Sequence, residues 1–275
     1  MMKKALILAA CAVIAAAPAA YASETGLAQE GKLVVGFDAE YPPYGYMDEN
    51  GEYTGFDLEL AQAVCDIEGW ELVKTPIDWD SKDMELNSGS IDCIWNGFTM
   101  TGREDAYTWA VPYVDNSQVI VVSDKAGVAS LADLAGKTVG VQAASAALTL
   151  LEGDQKDLAD TFAGLQQFKD YNTAFVELMA GSIDAIAMDI GVAQYQIAGR
   201  EGYSILEETL NAEQYAVGFK LGNDALCEII DRDLQVLLEN GTFAELAEKY
   251  ELTDMVCLGA DEAVEEATEA ATEAL

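Results

Sequence analysis

Leu86-Asn87-Ser88-Gly89-Ser90-Ile91-Asp92-Cys93-Ile94 returns further along the chain as Leu178-Met179-Ala180-Gly181-Ser182-Ile183-Asp184-Ala185-Ile186. A second pair lies upstream, where Gly31-Lys32-Leu33-Val34-Val35-Gly36 is echoed by Gly136-Lys137-Thr138-Val139-Gly140-Val141. In each half a Gly-Lys turn feeds a short apolar strand, and a helical stretch ending in glycine feeds a second strand through Ser-Ile-Asp. Two matches in the same order predict an α/β chain of two similar lobes, each a mostly parallel sheet flanked by helices. Open α/β sheets bind ligands outside the carboxyl ends of their strands. Four stretches fit that position: residues 38–44, 96–103, 142–146 and Met188-Asp189. Lobes that face one another would bring all four to a shared cleft.

The stretch Asn96-Gly97-Phe98-Thr99-Met100-Thr101-Gly102-Arg103 follows the apolar run Ile91-Asp92-Cys93-Ile94-Trp95, which reads as a buried strand. As a ligand loop, Gly97 admits a close approach to backbone, Thr99 offers a hydroxyl, and Arg103 offers a fork that pairs two-pronged with a carboxylate. As a plain hairpin, Asn-Gly between apolar residues is an equally good turn. The segment alone leaves both readings open.

The N-terminus reads as a secretory leader over residues 1–22: Lys3 and Lys4, an apolar run from Ala5 to Ala17, then Ala20-Tyr21-Ala22 as a small-x-small cleavage site. Leu8-Ala9-Ala10-Cys11 also resembles a lipoprotein processing site, with Cys11 as the residue that would carry lipid. The expected location is therefore outside the cytoplasm. Without Lys3 and Lys4 the remaining chain carries 12 basic against 49 acidic residues, a net charge of −37. That charge argues against nucleic acid and anionic membrane surfaces as partners. The sequence contains no histidine, so histidine-dependent nucleophilic catalysis and histidine metal sites are excluded. No metal or other cofactor is called for.

Periodicity places the first strand at residues 33–37, a helix at 56–68, a second strand at 71–75, a short helix near 81–87, and the strand 118–122 after a connection at 111–116. Two helices, 224–239 and 242–250, close the chain. The division expected is residues 23–116 with 214–258 for the first lobe, 117–213 for the second, and an acidic low-complexity tail at 259–275. The chain would cross between lobes twice, which suits hinge closure around a ligand.

Taken together, these segments resemble the extracytoplasmic solute-binding proteins of bacterial amino-acid ABC transporters, in the polar amino acid branch. The resemblance rests on Val34-Val35-Gly36-Phe37-Asp38, Tyr41-Pro42-Pro43-Tyr44, Gly55-Phe56-Asp57-Leu58-Glu59-Leu60-Ala61, Gly89-Ser90-Ile91-Asp92, Thr99-Met100-Thr101, Trp109-Ala110-Val111-Pro112-Tyr113, Gly181-Ser182-Ile183-Asp184-Ala185 and Gly241-Thr242-Phe243. It covers roughly residues 31–250. It implies a monomeric two-lobed protein that captures a free L-amino acid and delivers it to a membrane permease.

Carried over by position, Arg103 would bind the ligand carboxylate with Thr99 and the backbone of Asn96 and Gly97. Asp189 would bind the ammonium, Tyr41 and Trp79 would sandwich the ligand, and Asp38 would meet its side chain. Gln142, Ser145 and Ala146 would contact it from the second lobe. Two departures stand out: Arg103 follows Thr99 by four residues where five is usual, and Ala144 replaces the usual glycine of its loop. Asp38, Glu40, Asp78 and Asp80 give the expected pocket an acidic rim, favouring a polar or basic amino acid. The rivals are a carboxylate-dependent dehydratase, a branch that shares this fold, and a sensory module docked on a membrane receptor.

Cys65, Cys93, Cys227 and Cys257 show no Cys-x-x-Cys spacing. In an exported protein they suggest two disulfides, with buried thiols as the alternative. The lobe topology favours Cys65–Cys93 and Cys227–Cys257, both distant from the ligand.

Overall fold

The structure, a computed structural model, describes residues 24–259. The leader, Cys11 and residues 260–275 lie outside the described residues.

Two sheets form the frame. The first has the order Glu71–Pro76, Lys32–Phe37, Cys93–Ile94, Gly218–Phe219, Thr108–Trp109, and its first three strands are parallel. The second runs Gly164–Phe168, Thr138–Gln142, Ala185–Asp189, Val114–Ser123, Tyr203–Ile205, with Asn211–Tyr215 also paired to Val114–Ser123. Its first three strands are likewise parallel. A small antiparallel sheet of Glu40–Tyr41, Gly45–Met47 and Tyr53–Thr54, not foreseen from the sequence, sits beside the first lobe's cleft edge.

The repeated Ser-Ile-Asp is a structural clasp. Asp92 accepts the Val34 amide on its carboxylate (2.8 Å) while its own amide donates to the Val34 carbonyl (2.8 Å). Asp184 makes the same pair of bonds with Thr138, both at 2.8 Å. The isoleucine before each aspartate fills the space over a strand glycine: a Cβ on Gly36 would fall 2.4 Å from Ile91 Cδ1, and one on Gly140 2.6 Å from Ile183 Cδ1. Gly36 therefore corresponds to Gly140 and Val35 to Val139, as their pairing with Cys93 and Ala185 confirms. The upstream match read from the Gly-Lys dipeptides was displaced by one residue. The clasp fixes how far the next strand runs, and so where its loop enters the cleft.

The helix Phe56–Glu68 buries Phe56, Leu60 and Val64 at four-residue spacing, with Asp57, Ala61 and Cys65 on the adjoining row. Asp224–Glu239 buries Leu226, Ile230, Leu234 and Leu237. Together with Phe243 they close the first-lobe core beneath the sheet. The second lobe buries Ile120, Val122, Val139, Val141, Leu148, Ala185 and Ala187. The strand Val114–Ser123 begins four residues before the expected position 118, because Asn211–Tyr215 pairs with its first half from Gln118↔Asn211 to Val114↔Tyr215. The polar run Asp115-Asn116-Ser117 read as a connection; the partner strand makes it β-structure.

The expected disulfides are not formed. Cys65 and Cys93 are buried neighbours in one apolar cluster, and desolvation pushes the Cys65 thiol up to about 12 and the Cys93 thiol well above its usual range. In the second pair the Cys227 thiol donates to the Trp109 carbonyl (3.1 Å), whereas the Cys257 sulfur accepts from Gln214 Nε2 (4.0 Å). Burial of Cys65 and Cys93 has a direct readout. A thiol reagent should leave both unmodified in the folded protein and label both within minutes in denaturant. Failure to label in denaturant without reductant would restore the Cys65–Cys93 disulfide.

Candidate functional site

The carboxyl ends of both central sheets meet at one small, partly open cavity of about 10 Å³. Its lining is Tyr41, Trp79, Gly97, Thr99, Arg103, Gln142, Ser145, Ala146 and Asp189. Nine of the eleven ligand residues expected from sequence are thus brought together, from loops up to about 150 positions apart in the chain. Asp38 and Asn96 are not part of that lining. Asn96 Oδ1 accepts the Asp38 amide in a very short bond, so it braces the loop behind the site. Asp38 instead joins the lobes, taking Gln142 Nε2 at 2.6 Å, and burial pushes its carboxyl up to about 6.

The loop after Cys93–Ile94 is no hairpin. Gly97 takes φ 55°, and its amide donates to Asp57 Oδ2 at 2.5 Å. Asp57 lies in the first turn of its helix, wholly buried, with its carboxyl pushed up to about 7 by desolvation. Thr99 then bridges to Tyr215 of the crossing strand. A tight turn follows, closed by the Arg103 amide on the Met100 carbonyl (2.8 Å) with Gly102 at φ 79°. That turn accommodates the four-residue spacing and returns Arg103 to the cavity, where Nη1 donates to the Thr99 carbonyl (3.3 Å) and the guanidinium lies 5.3 Å from the Phe98 ring. Thr99 Oγ1 spends its proton on Glu213 (2.8 Å), a partner the sequence did not suggest.

Beside Arg103 lies a second cation that sequence reasoning missed. Lys82 is buried, its ammonium 5.2 Å from the Trp79 ring and bonded to the carbonyls of Trp79 (3.3 Å) and Ala144 (3.2 Å). Burial, then the neighbouring Arg103, lowers its pKa to about 8. Nothing in its place within a short polar helix distinguishes it from a solvated lysine.

The opposite wall is anionic. Asp189 sits at the cap position of the helix Ile190–Ile197 without bonding its amides. Its Oδ1 accepts instead from Gln118 Nε2 (2.6 Å), Tyr215 Oη (2.7 Å) and Asn116 Nδ2 (2.9 Å). The same two amide groups donate to Glu213 Oε1, at 2.8 and 2.7 Å, which holds the two carboxylates close together. Desolvation, then repulsion from Glu213, pushes Asp189 up to about 6. Asn116 and Gln118 could have been found from sequence: they are two amides on one face of a strand otherwise rich in valine. Glu213 carried no such signal.

Aromatic and second-lobe residues complete the enclosure. Tyr41 packs near Tyr44 and Tyr171, and its hydroxyl lies 3.3 Å from that of Tyr215. Trp79, on a short helical turn over Trp79–Ser81, stands edge-on to Phe98. Ser145 caps the helix Ala146–Glu152 through the Leu148 amide (3.1 Å) while lining the cavity, so capping and lining coexist. Outside Trp79 and Asp38 opens a larger cleft of about 490 Å³ whose rim carries Asp38, Glu40, Asp78, Glu85 and Asp170, with Lys169 paired to Asp78 at 2.7 Å. Asp80 is not part of that rim.

With this geometry in place, the sequence matches the profile of the bacterial extracellular solute-binding proteins, family 3, over residues 33–253. The chain belongs to this family. It is 27% identical to the L-cystine-binding protein TcyJ of Escherichia coli K12, over 81% of this chain and 83% of that protein. It is 28% identical to the arginine-binding extracellular protein ArtP of Bacillus subtilis, over 90% and 98%. Among solved structures, a substrate-binding protein of an ABC uptake transporter from Streptococcus pneumoniae, with bound histidine, superposes with TM-score 0.78 at 31% identity, covering 80% of this chain and 92% of that one. Like other members, the chain is a two-lobed α/β binding protein. No helix among the described residues is long and apolar enough to cross a membrane.

Gly97 tests how tightly the loop is held. An added Cβ would fall 2.9 Å from Tyr41 Cε1 and 3.0 Å from Tyr215 Cε2, at a backbone conformation that L-residues disfavour. Gly97→Ala should weaken ligand binding by at least about tenfold, since both rings border the Asp189 pole. Calorimetry showing unchanged affinity would contradict this close packing.

Proposed function

We propose that the cavity captures a free L-amino acid with a polar or basic side chain and presents it, outside the cytoplasm, to an ABC permease. One observation carries this reading. Two cations, the half-buried Arg103 and the buried Lys82, lie beside one another, and two buried carboxylates, Asp189 and Glu213, share the amides of Asn116 and Gln118. No ion pair among the described residues includes any of the four. Buried charges are strongly unfavourable without counter-charges. An amino-acid zwitterion supplies both at once, its carboxylate to Arg103 and its ammonium to Asp189. The Tyr41 and Trp79 rings lie along the path between the poles, and the acidic rim beyond Asp38 suits a cationic or polar side chain. Relatives that take arginine, histidine and cystine are consistent with such a ligand.

Truncating one partner of a buried charged contact typically costs ~2–5 kcal/mol, roughly thirtyfold to several thousandfold in affinity. Arg103→Ala and Asp189→Asn should each weaken binding by at least that lower factor in calorimetry against the twenty common L-amino acids and L-cystine. Either variant binding within threefold of the parent removes that residue from the assignment.

The pH dependence has a defined sign. Ammonium binding requires Asp189 as the anion, so affinity should fall as pH drops through about 6 and be about tenfold weaker at pH 5 than at pH 7.5. Stability should run the other way. Asp38, Asp57 and Asp189 all hold their protons more tightly folded than unfolded. The ligand-free protein should therefore gain stability as pH falls from 7 to 5. Denaturant melts and calorimetry at both pH values check the pair; affinity that rises on acidification would overturn the ammonium assignment.

A further inference from the structure

Lys82 stands out among the described residues because its burial is not matched by an anion. It opens the helix Lys82–Ser88 of the first lobe and is 5% exposed, rare for a lysine. Its ammonium donates to no carboxylate in an ion pair among the described residues. It donates instead to one carbonyl of its own lobe, Trp79 at 3.3 Å, and to one of the opposite lobe, Ala144 at 3.2 Å. Ala144 belongs to the loop that leads from Gln142 to the cap residue Ser145, and it adopts φ 55°. That left-handed conformation is uncommon for alanine and is held by surrounding contacts. The loop is thus fixed in an unfavourable turn at the point where its carbonyl meets a cation from across the cleft.

We propose that Lys82 is the closure latch of this protein. It is a positioning residue that fastens the Gln142–Ser145 loop of the second lobe onto the first lobe. The proposal rests on the reading of the cavity as an amino-acid site. The bond joins two lobes, so it exists only when they are together; in an open form the ammonium returns to water and the Ala144 carbonyl loses its cation. Such an interaction has different free energy in the two states and shifts the population towards the closed one. Other inter-lobe bonds flank it. Gln142 reaches Asp38 at 2.6 Å, and Lys169 reaches Asp78 at 2.7 Å, but the latter pair is largely exposed and contributes little. Lys82 also faces Arg103, while Asp80 and Asp83 act on it from its own segment. An apolar residue of similar length could seat on Trp79 equally well but could not hold the loop.

The test is Lys82→Met, which keeps the aliphatic stem over Trp79 and removes the ammonium. Two measurements are made on the full exported protein. Stopped-flow tryptophan fluorescence is recorded with the tightest binder among the twenty L-amino acids and L-cystine, and small-angle scattering without ligand. A latch acts after encounter, so the dissociation rate should rise about tenfold while the association rate changes less than twofold. The ligand-free variant should have a larger radius of gyration than the ligand-free parent. General loss of structure would instead lower the melting temperature and slow association. A dissociation rate within twofold of the parent, with equal radii, overturns the latch. If the parent binds none of the probes, the amino-acid reading falls, and the scattering comparison alone decides the latch.

Discussion

The structure depends most on charge held at the cavity without salt bridges. Arg103 and Asp189 line the cavity, with Lys82 beside Arg103 and Glu213 beside Asp189. Each charge has hydrogen bonds, yet none forms an ion pair among the described residues. Arg103 and Lys82 rely on backbone carbonyls; Asp189 and Glu213 rely on side-chain amides and hydroxyls. Dipoles of this kind lower the cost of holding a charge out of water without cancelling the charge.

Keeping the poles in place falls to residues outside the lining. Asp57 fixes the Gly97 amide, Asn96 fixes Asp38, and Asn116 with Gln118 holds Asp189 against Glu213. Asn116 and Gln118 sit on the strand Val114–Ser123, and Glu213 and Tyr215 on Asn211–Tyr215, the two strands that pair where the chain passes between the lobes. The anionic pole is thus built into the crossing itself. Relative motion of the lobes would move Arg103 and Trp79 with one sheet and Gln142 and Ser145 with the other. Of the carboxylate pair, Glu213 lies on a crossing strand and Asp189 on the strand paired with the other, apart from both loops.

Much of this was legible in the chain. The repeated Ser-Ile-Asp announced two equivalent lobes, because the same side chains must clasp the same kind of strand in each. The reading of the upstream repeat was off by one because Gly-Lys is a surface turn with no packing role, whereas Gly36 and Gly140 are required by the isoleucines above them. Eight of the nine lining residues lie in the strand-end stretches that topology brings together, whereas Trp79 came from the family resemblance alone. Lys82, Glu213, Asn116 and Gln118 were not found, because each owes its role to partners from other segments. The disulfides were misjudged for the same reason: two cysteines near one sheet end are compatible with a bond or with two buried thiols, and packing chose the thiols.

What the sequence by itself determined is the pattern that depends on near neighbours: apolar periodicity, the glycine turns, the clasp aspartates, and the loop residues that a doubly wound sheet delivers to its carboxyl edge. What only the tertiary structure decided is the electrostatic state of those residues. Whether a lysine is solvated or buried against a tryptophan, or an aspartate caps its helix or faces a second carboxylate, is set by groups far away in the chain. Burial and charge coupling act through space at distances of a few ångströms, and sequence separation does not record them.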